Sequence, residues 1–436
     1  MSKAILKSPK KTTSTFARAR RYRMSKAWMI WFSTFLFVIF QFFLQLTSGE
    51  ILSGVMNSFA LSAFGGSLLI SGYYYIYCLL QTPSGMLLDR FGPRLTLSFG
   101  ALIVCVGCCL FAGSHLVAVA AIGRILMGTG SACAFVGCLN VATKWFPLRR
   151  FAMMVALVET AGMLGTTLGG FGMAHFIQSA GWRHCMLFCA VIAGLIGLLL
   201  LTFVRNSPRK KILTVPVTNQ ALLHGVMRIV KKKIAWLNGI YTGLMFSVVT
   251  TFSALWAVPF IQLVHHVNLI QATLCVSMLY IGVAIGTLIM GWLDTHTDYR
   301  RVLMIICSFV VAILLSIIIY DRYLSMGKTA ILIFLSGISM SSYMLSFAIS
   351  SDIADKNNRA SSIGFTNMLC VISAPILQPL IGYVIKILDG RNNVYQSVSN
   401  NILHFQLGLS LLIIAMLISG IVAFFLPCKS YKQSVL

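Results

Sequence analysis

The sequence predicts an all-α membrane protein, twelve transmembrane helices in two six-helix bundles. Three observations carry this prediction. Hydrophobic residues make up 58% of the 436 positions and charged residues only 10%, with a mean hydropathy of +0.88. A soluble domain carries about 25% charged residues, so a chain this poor in charge must expose most of its exterior to lipid. Apolar runs of roughly 20 residues, long enough to cross a bilayer core, recur along the chain. Lys and Arg fall in alternate connections between those runs, the pattern that sets membrane orientation.

Residues 1–26 hold nine Lys or Arg and no acid, ending RARRYRMSK. Such a start suits a cytoplasmic tail drawn to anionic membrane lipids; an Arg-rich transit peptide is the less favoured reading. The first apolar run is too long for the core of a cleavable signal. Twelve spans follow at roughly 27–48, 64–86, 95–113, 116–142, 151–177, 184–204, 234–261, 269–291, 302–320, 328–350, 361–386 and 404–426. With the N-terminus inside, 28 of the 34 Lys and Arg lie on the inner side, which places both termini in the cytoplasm, the last as a short tail over 427–436. The net charge of +25 then marks membrane orientation and excludes a nucleic-acid footprint.

The longest connection, 205–233, reads RNSPRKKILTVPVTNQALLHGVMRIVKKK. It is a basic cytoplasmic linker that separates an N-terminal bundle, 27–204, from a C-terminal bundle, 234–426. Asp89 and Asp294 fall at equivalent places after the second span of each half. Two halves of the same orientation imply a parallel internal repeat with a site between them.

Enzyme chemistry has no footing here. Most of the twelve cysteines lie inside apolar runs, where Cys packs as a small residue, and no metal-ligand spacing with a His partner occurs. No glycine-rich turn precedes a Lys-Ser/Thr pair, so there is no phosphate loop. The expectation is no catalytic residue, no metal and no cofactor.

The loop Gly85-x-Leu87-x-Asp89-Arg90-x-Gly92-x-Arg94, between spans 2 and 3 on the basic side, resembles the signature loop of the major facilitator superfamily. Arg124-x-x-x-Gly128-x-Gly130 in span 4, GWR at 181–183 and KWFPLRR at 144–150 resemble patterns of the same family. The resemblance implies alternating access, with the 85–94 loop as a conformational latch. Gly85 would let helices approach closely and Gly92 would permit a tight turn. Asp89 would accept N–H bonds at the start of span 11, near Ser361 and Ser362, where the helix dipole favours an anion. The second copy is weaker. Aligning Asp294 with Asp89 puts Met290, Thr295 and Thr297 where Gly85, Arg90 and Gly92 stand, so the two halves are expected to latch unequally.

Span 5 carries AGMLGTTLGG at 161–170, a small-residue face fit for close helix packing. Thr166 stands where the family's exchanger motif has proline, which weakens the case for a drug exporter. Glu159 and Arg124 are the charges these spans place inside the membrane, and such residues suggest a site or pathway by default. Glu159 lies about 200° around the helix from Ala161, away from the small face, and is the candidate proton carrier. Arg124 can pair with it or bind a substrate carboxylate, although helix rise puts them at different depths, so a direct pair needs a tilt or a bend near Gly128 and Gly130. Gln41 and Gln45 share one face of span 1, and Tyr73 and Tyr77 one face of span 2. Trp256, Tyr280, Tyr343, Asn367 and Gln378 complete the polar and aromatic candidates, each with interhelical packing as its plainer role.

These readings converge on a secondary transporter, not an enzyme, that moves a small organic solute by alternating access with protons as coupling ion. The stretch SGYYYIYCLLQTPSGMLLDRFGPR, 71–94, also looks like a bacterial branch of the superfamily, phagosomal-transporter-like, that includes amino-acid and short-peptide carriers. That resemblance implies an amino acid, short peptide or organic anion as cargo, and a monomer in a bacterial inner membrane. The rivals are a multidrug or siderophore exporter of the same fold and a non-transporting receptor or scaffold.

Overall fold

The computed structural model describes residues 10–146, 151–206, 227–297, 299–321, 323–353, 359–389 and 401–427. Among the described residues, eleven helices are long and apolar enough to cross a membrane. One of them, Leu157–Phe203, has 47 residues and would be about 70 Å long, more than twice the thickness of a bilayer core. It divides at Gly181, where φ is 82° and ψ 163°, giving spans 5 and 6 and a total of twelve. Gly92 adopts the same backbone, φ 80° and ψ 163°, within the helix Ala63–Gly113, and so separates span 2, Ala63–Gln81, from span 3, Arg90–Gly113. Side chains are excluded from this region of backbone space, which is why both breaks fall on glycine.

The two breaks are related by more than their angles. After Gly92, the Arg94 side chain donates from Nε to the Leu201 carbonyl, 2.8 Å, at the end of span 6. After Gly181, Arg183 donates from Nη2 to the Ser114 carbonyl, 3.1 Å, at the end of span 3. Each arginine opens one helix and closes the other, supplying donors to carbonyls that a helix end leaves without partners. Spans 3 and 6 are thus joined at both ends by the same contact with the roles of the two helices exchanged, the relation that an inverted repeat produces.

The remaining spans are Ser25–Leu46 (span 1), Val117–Trp145 (span 4), Lys233–His265 (span 7), Leu269–Asp294 (span 8), Arg300–Tyr320 (span 9), Met326–Ile353 (span 10), Ser362–Leu388 (span 11) and Ile402–Ala423 (span 12). Span 1 breaks after Leu46 and resumes as Gly49–Phe59. Span 7 contains a nine-residue π-helical segment, Val248–Trp256, the kind of widened turn that commonly marks a functional position. The small face of span 5 packs on span 1: a Cβ on Gly162 would meet the Phe42 ring at 2.9 Å, and one on Gly169 the Phe43 ring at 2.5 Å.

The halves touch along the side opposite the basic loops. A Cβ on Gly382 of span 11 would lie 2.7 Å from the Ala63 carbonyl, and one on Gly49 would lie 2.9 Å from the Leu255 carbonyl. Deeper in, Ser71 Oγ donates to Gln378 Oε1 at 2.6 Å, and Asn367 Nδ2 to Gln81 Oε1 at 3.4 Å. Beyond these pairs, towards the basic side, no atom of another described segment lies within 4 Å of where a Cβ would stand on Gly85, Gly291 or Gly364. Among the described residues no close approach is made at Gly85, and the tight contacts between the halves lie towards the other end.

Candidate functional site

A narrow cavity with about 30 Å³ of room for water-sized molecules lies where the two halves meet. The first half contributes Phe42, Gln45 and Leu46 from span 1, Tyr77 from span 2, Phe135 from span 4 and Glu159 from span 5. The second contributes Phe246 from span 7, Tyr343 and Phe347 from span 10, and Asn367, Cys370 and Val371 from span 11. Glu159 is half-buried and is the one formally charged side chain in this wall. Among the described residues it has neither an ion-pair partner nor a hydrogen-bond partner. The nearby Tyr343 hydroxyl is buried and also without a partner.

Of the residues proposed from sequence, Gln45, Tyr77, Glu159, Tyr343 and Asn367 line this cavity, and others lie around it. Gln41 sits one turn from Gln45 and donates its amide to the Gln45 side-chain oxygen. Tyr73 stacks on Tyr77, with ring centroids 5.7 Å apart and planes 15° from parallel. Trp256 donates from Nε1 to the Gln378 carbonyl at 3.2 Å, and Tyr280 reaches across the interface to the Leu46 carbonyl at 2.7 Å. The first contact ties span 7 to span 11 within the second half, and the second belongs to the seal between the halves.

Arg124 is only 1% exposed and lies behind the wall. Its Nε and Nη2 donate to the Ile70 carbonyl at 3.3 and 3.0 Å, and Nη2 also donates to Ser48 Oγ at 3.1 Å. The guanidinium lies over the rings of Tyr73 and Phe111, 5.5 and 5.7 Å from their centroids. The pairing with Glu159 considered from sequence is not made. The depth difference between the two positions is not taken up by a bend, and the arginine's donors are consumed by spans 1 and 2.

The latch residues divide in the same way. The Asp89 side chain and that of Ser361 lie outside the described residues, so the expected contact with the start of span 11 does too. Ser362 donates to the Ser350 carbonyl at 2.9 Å, tying span 11 to span 10 within its own half. Arg90 is exposed and lies over the Phe91 ring. Gly92 makes the turn, and Arg94 holds the end of span 6 through its side chain and Asn206 through its backbone N–H, 3.1 Å. In the second half, Asp294 is firmly engaged: Arg300 donates from Nε and Nη2 to its two oxygens at 2.5 and 3.0 Å, and from Nη1 to Asp352 at 3.0 Å. The weaker sequence copy thus has a complete three-residue ion pair across spans 8, 9 and 10.

Sequence reasoning missed Glu50 and most of the cavity's rings. Glu50 is 8% exposed, in the helix that follows the break in span 1. Ending span 1 at residue 48 left it outside the membrane. Its Oε1 stands 3.3 Å from the Cβ position of Gly170 in span 5. Phe42, Phe135, Phe246 and Phe347 carried no signal that separates a cavity ring from a lipid-facing one, although Phe42 lies three residues from Gln45 and so shares its face.

A cavity between two halves of six helices, with the halves in tight contact on one side of it, is the arrangement of a membrane carrier for small solutes. The described residues hold no group of His, Cys, Asp and Glu fit to bind a metal ion. The chain belongs to the major facilitator superfamily, whose family profile, described as Major Facilitator Superfamily, matches residues 30–378. It is a multi-pass secondary transporter of small solutes and not an enzyme. It is 22% identical over 370 residues to the probable galactarate/D-glucarate transporter GudP of Escherichia coli K12, covering 76% of this chain and 81% of that one. It is 21% identical over 352 residues to the hexuronate transporter of Bacillus subtilis 168, with the same shares covered. A bacterial homolog of the human lysosomal transporter Spinster, inward-facing and unoccupied, superposes with a TM-score of 0.74 at 14% identity, over 92% of this chain and 96% of that one. A D-xylose–proton symporter superposes at 0.73 and 16% identity, over 94% and 99%.

Proposed function

We propose that the chain carries a small organic solute, an amino acid, a short peptide or an organic anion, by alternating access coupled to protons. The observation that supports this most directly is Glu159, an acid without a partner in the wall of the cavity between the halves. A charge is rare and costly at this depth in a membrane, and a carboxyl group free of a fixed cation can take up and release a proton as its access changes. The bundles 27–204 and 234–426 rock as bodies about the cavity. The 85–94 loop, with Asp89 and Asp294 at equivalent ends, closes the basic side in the alternate state. The basic side faces the cytoplasm of a bacterial inner membrane, with the Lys- and Arg-rich tail against anionic lipid, and the working unit is a monomer.

The test is solute accumulation in proteoliposomes under an imposed proton gradient. Accumulation that follows the imposed gradient, stops when a protonophore collapses it and is lost in Glu159→Gln supports the proposal. Accumulation indifferent to the gradient refutes proton coupling, and Glu159→Gln with full accumulation removes this residue from the proton route.

A further inference from the structure

We infer that the cavity selects a solute bearing a protonated amine, seated against Glu159 among aromatic faces, and disfavours solutes whose only charges are carboxylates. This deepens the transporter reading and rests on it. The wall holds Glu159 as its one formal charge, and that charge is an acid. Six rings share the wall: Phe42, Tyr77, Phe135, Phe246, Tyr343 and Phe347. The faces of such rings carry negative charge density and attract a cation. The carboxylate therefore sets the sign of the formal charge an entering solute meets, and any ring face it reaches adds to the attraction of a cation.

A dicarboxylate would need cations in the wall, since opposite charges must be met when a solute leaves water. The cavity offers none. The buried cation Arg124 stands behind Tyr73, with Nε and Nη2 held by Ile70 and Ser48 and Nη1 3.8 Å from the Met127 sulfur. Turning it towards the cavity would leave the Ile70 carbonyl without that donor and would take the guanidinium off the Tyr73 ring. The titratable side chains that face Glu159 across the cavity are Tyr77, Tyr343 and Cys370, and none of these supplies a positive charge. The uncharged remainder of the wall fits the rest of an amine-bearing solute. Gln45 and Asn367 supply amides, and the Tyr343 hydroxyl has no partner within the protein. The related chains named for galactarate, D-glucarate and hexuronate carry names of acids, so the inference separates this chain's cargo from theirs.

Competition binding on the purified full chain in lipid nanodiscs tests this, with transport in proteoliposomes as a second readout. The probes are tyramine, L-leucine and L-lysine against D-glucarate and L-tartrate. The expected result is binding and transport of at least one amine-bearing probe, with the two dicarboxylates at least tenfold weaker. Glu159→Gln should weaken the amine probe at least tenfold while the melting temperature holds, and Glu159→Asp should recover part of the loss. Dicarboxylates that bind and move as well as the amines overturn the inference and leave the transporter reading standing, whether or not any variant folds. Absence of transport for every probe, with binding of none, counts against both.

Discussion

The Tyr75 hydroxyl of span 2 donates to the Pro375 carbonyl of span 11 across the interface between the halves, at 2.7 Å. That carbonyl is available because Pro379, one turn on, has no N–H to give it. The same logic recurs at Leu46, the last residue before the break in span 1, whose carbonyl accepts from Tyr280 at 2.7 Å. Each half leaves a carbonyl without a helical donor, and a tyrosine of the other half supplies one. An unsatisfied carbonyl in lipid is costly, so such contacts hold the seal until water can reach the groups they satisfy. The seal is thereby tied to one conformation.

Tyr75→Phe should shift the population towards the state open on the sealed side. A hydrogen bond of this kind contributes about 1 kcal/mol net, which corresponds to a change of roughly fivefold in the ratio of the two states. Tyr280→Phe should act in the same direction, and the double variant should show close to the sum because the two contacts share no residue. Spin-label distances between the ends of spans 2 and 11 on the sealed side measure this. An unchanged distance distribution in both single variants would refute it.

The reciprocal arginines give a stability prediction. Arg94→Ala removes the side-chain contact with Leu201, whereas Arg183→Ala removes contacts with Ser58 and Ser114 and the stacking over Trp182, 4.4 Å from the ring centroid. The first should cost about 1 kcal/mol and the second about 2. Thermal unfolding in detergent should rank them in that order, with Arg183→Ala melting first. Equal melting temperatures would mean that the capping of spans 3 and 6 is not what the arginines contribute.

How much of this was legible in the sequence depends on the kind of signal. Periodicity and charge asymmetry located all twelve spans, because a bilayer imposes length and polarity on every one of them. Gly92 and the GWR stretch were visible as motifs, yet the reciprocal use of Arg94 and Arg183 was not, since pairing spans 3 and 6 needs the three-dimensional arrangement. Within the site, Glu159 stood out because a charge in a span is rare. Arg124 stood out for the same reason but proved to be held by backbone and Ser48 behind the cavity. A phenylalanine carries no such mark, because the lipid face and the cavity wall both accept it.

Gly92→Ala and Gly181→Ala should differ although their backbones match. Both place a Cβ in a region open essentially to glycine, at a cost of about 1–3 kcal/mol. At Gly181 nothing lies within 4 Å of the new carbon, while at Gly92 it would meet the Asn206 side chain at 2.6 Å, the group that accepts from Arg94. Gly92→Ala should therefore lower the melting temperature further. Gly92→Ala/Asn206→Ala should recover the difference to within the loss of that one hydrogen bond. A double variant no more stable than Gly92→Ala would place the whole cost in the backbone.

The ion pair of Arg300 with Asp294 and Asp352 predicts strong dependence between three spans. The arginine side chain is 11% exposed and the two acids 20% and 17%, so the charges are partly withdrawn from water and an unmatched one is costly. Arg300→Ala leaves two acids facing each other and should destabilise the second half by about 2–3 kcal/mol. Arg300→Lys should restore little, because an ammonium group cannot give two parallel bonds to Asp294 while also reaching Asp352. Removing the repulsion as well, in Arg300→Ala/Asp294→Asn, should recover about 1 kcal/mol relative to Arg300→Ala alone, a coupling that a double-mutant cycle on thermal unfolding reads directly. Additive losses would show that the three groups act independently. In that case the second half's copy of the loop would be a remnant in energy as well as in sequence.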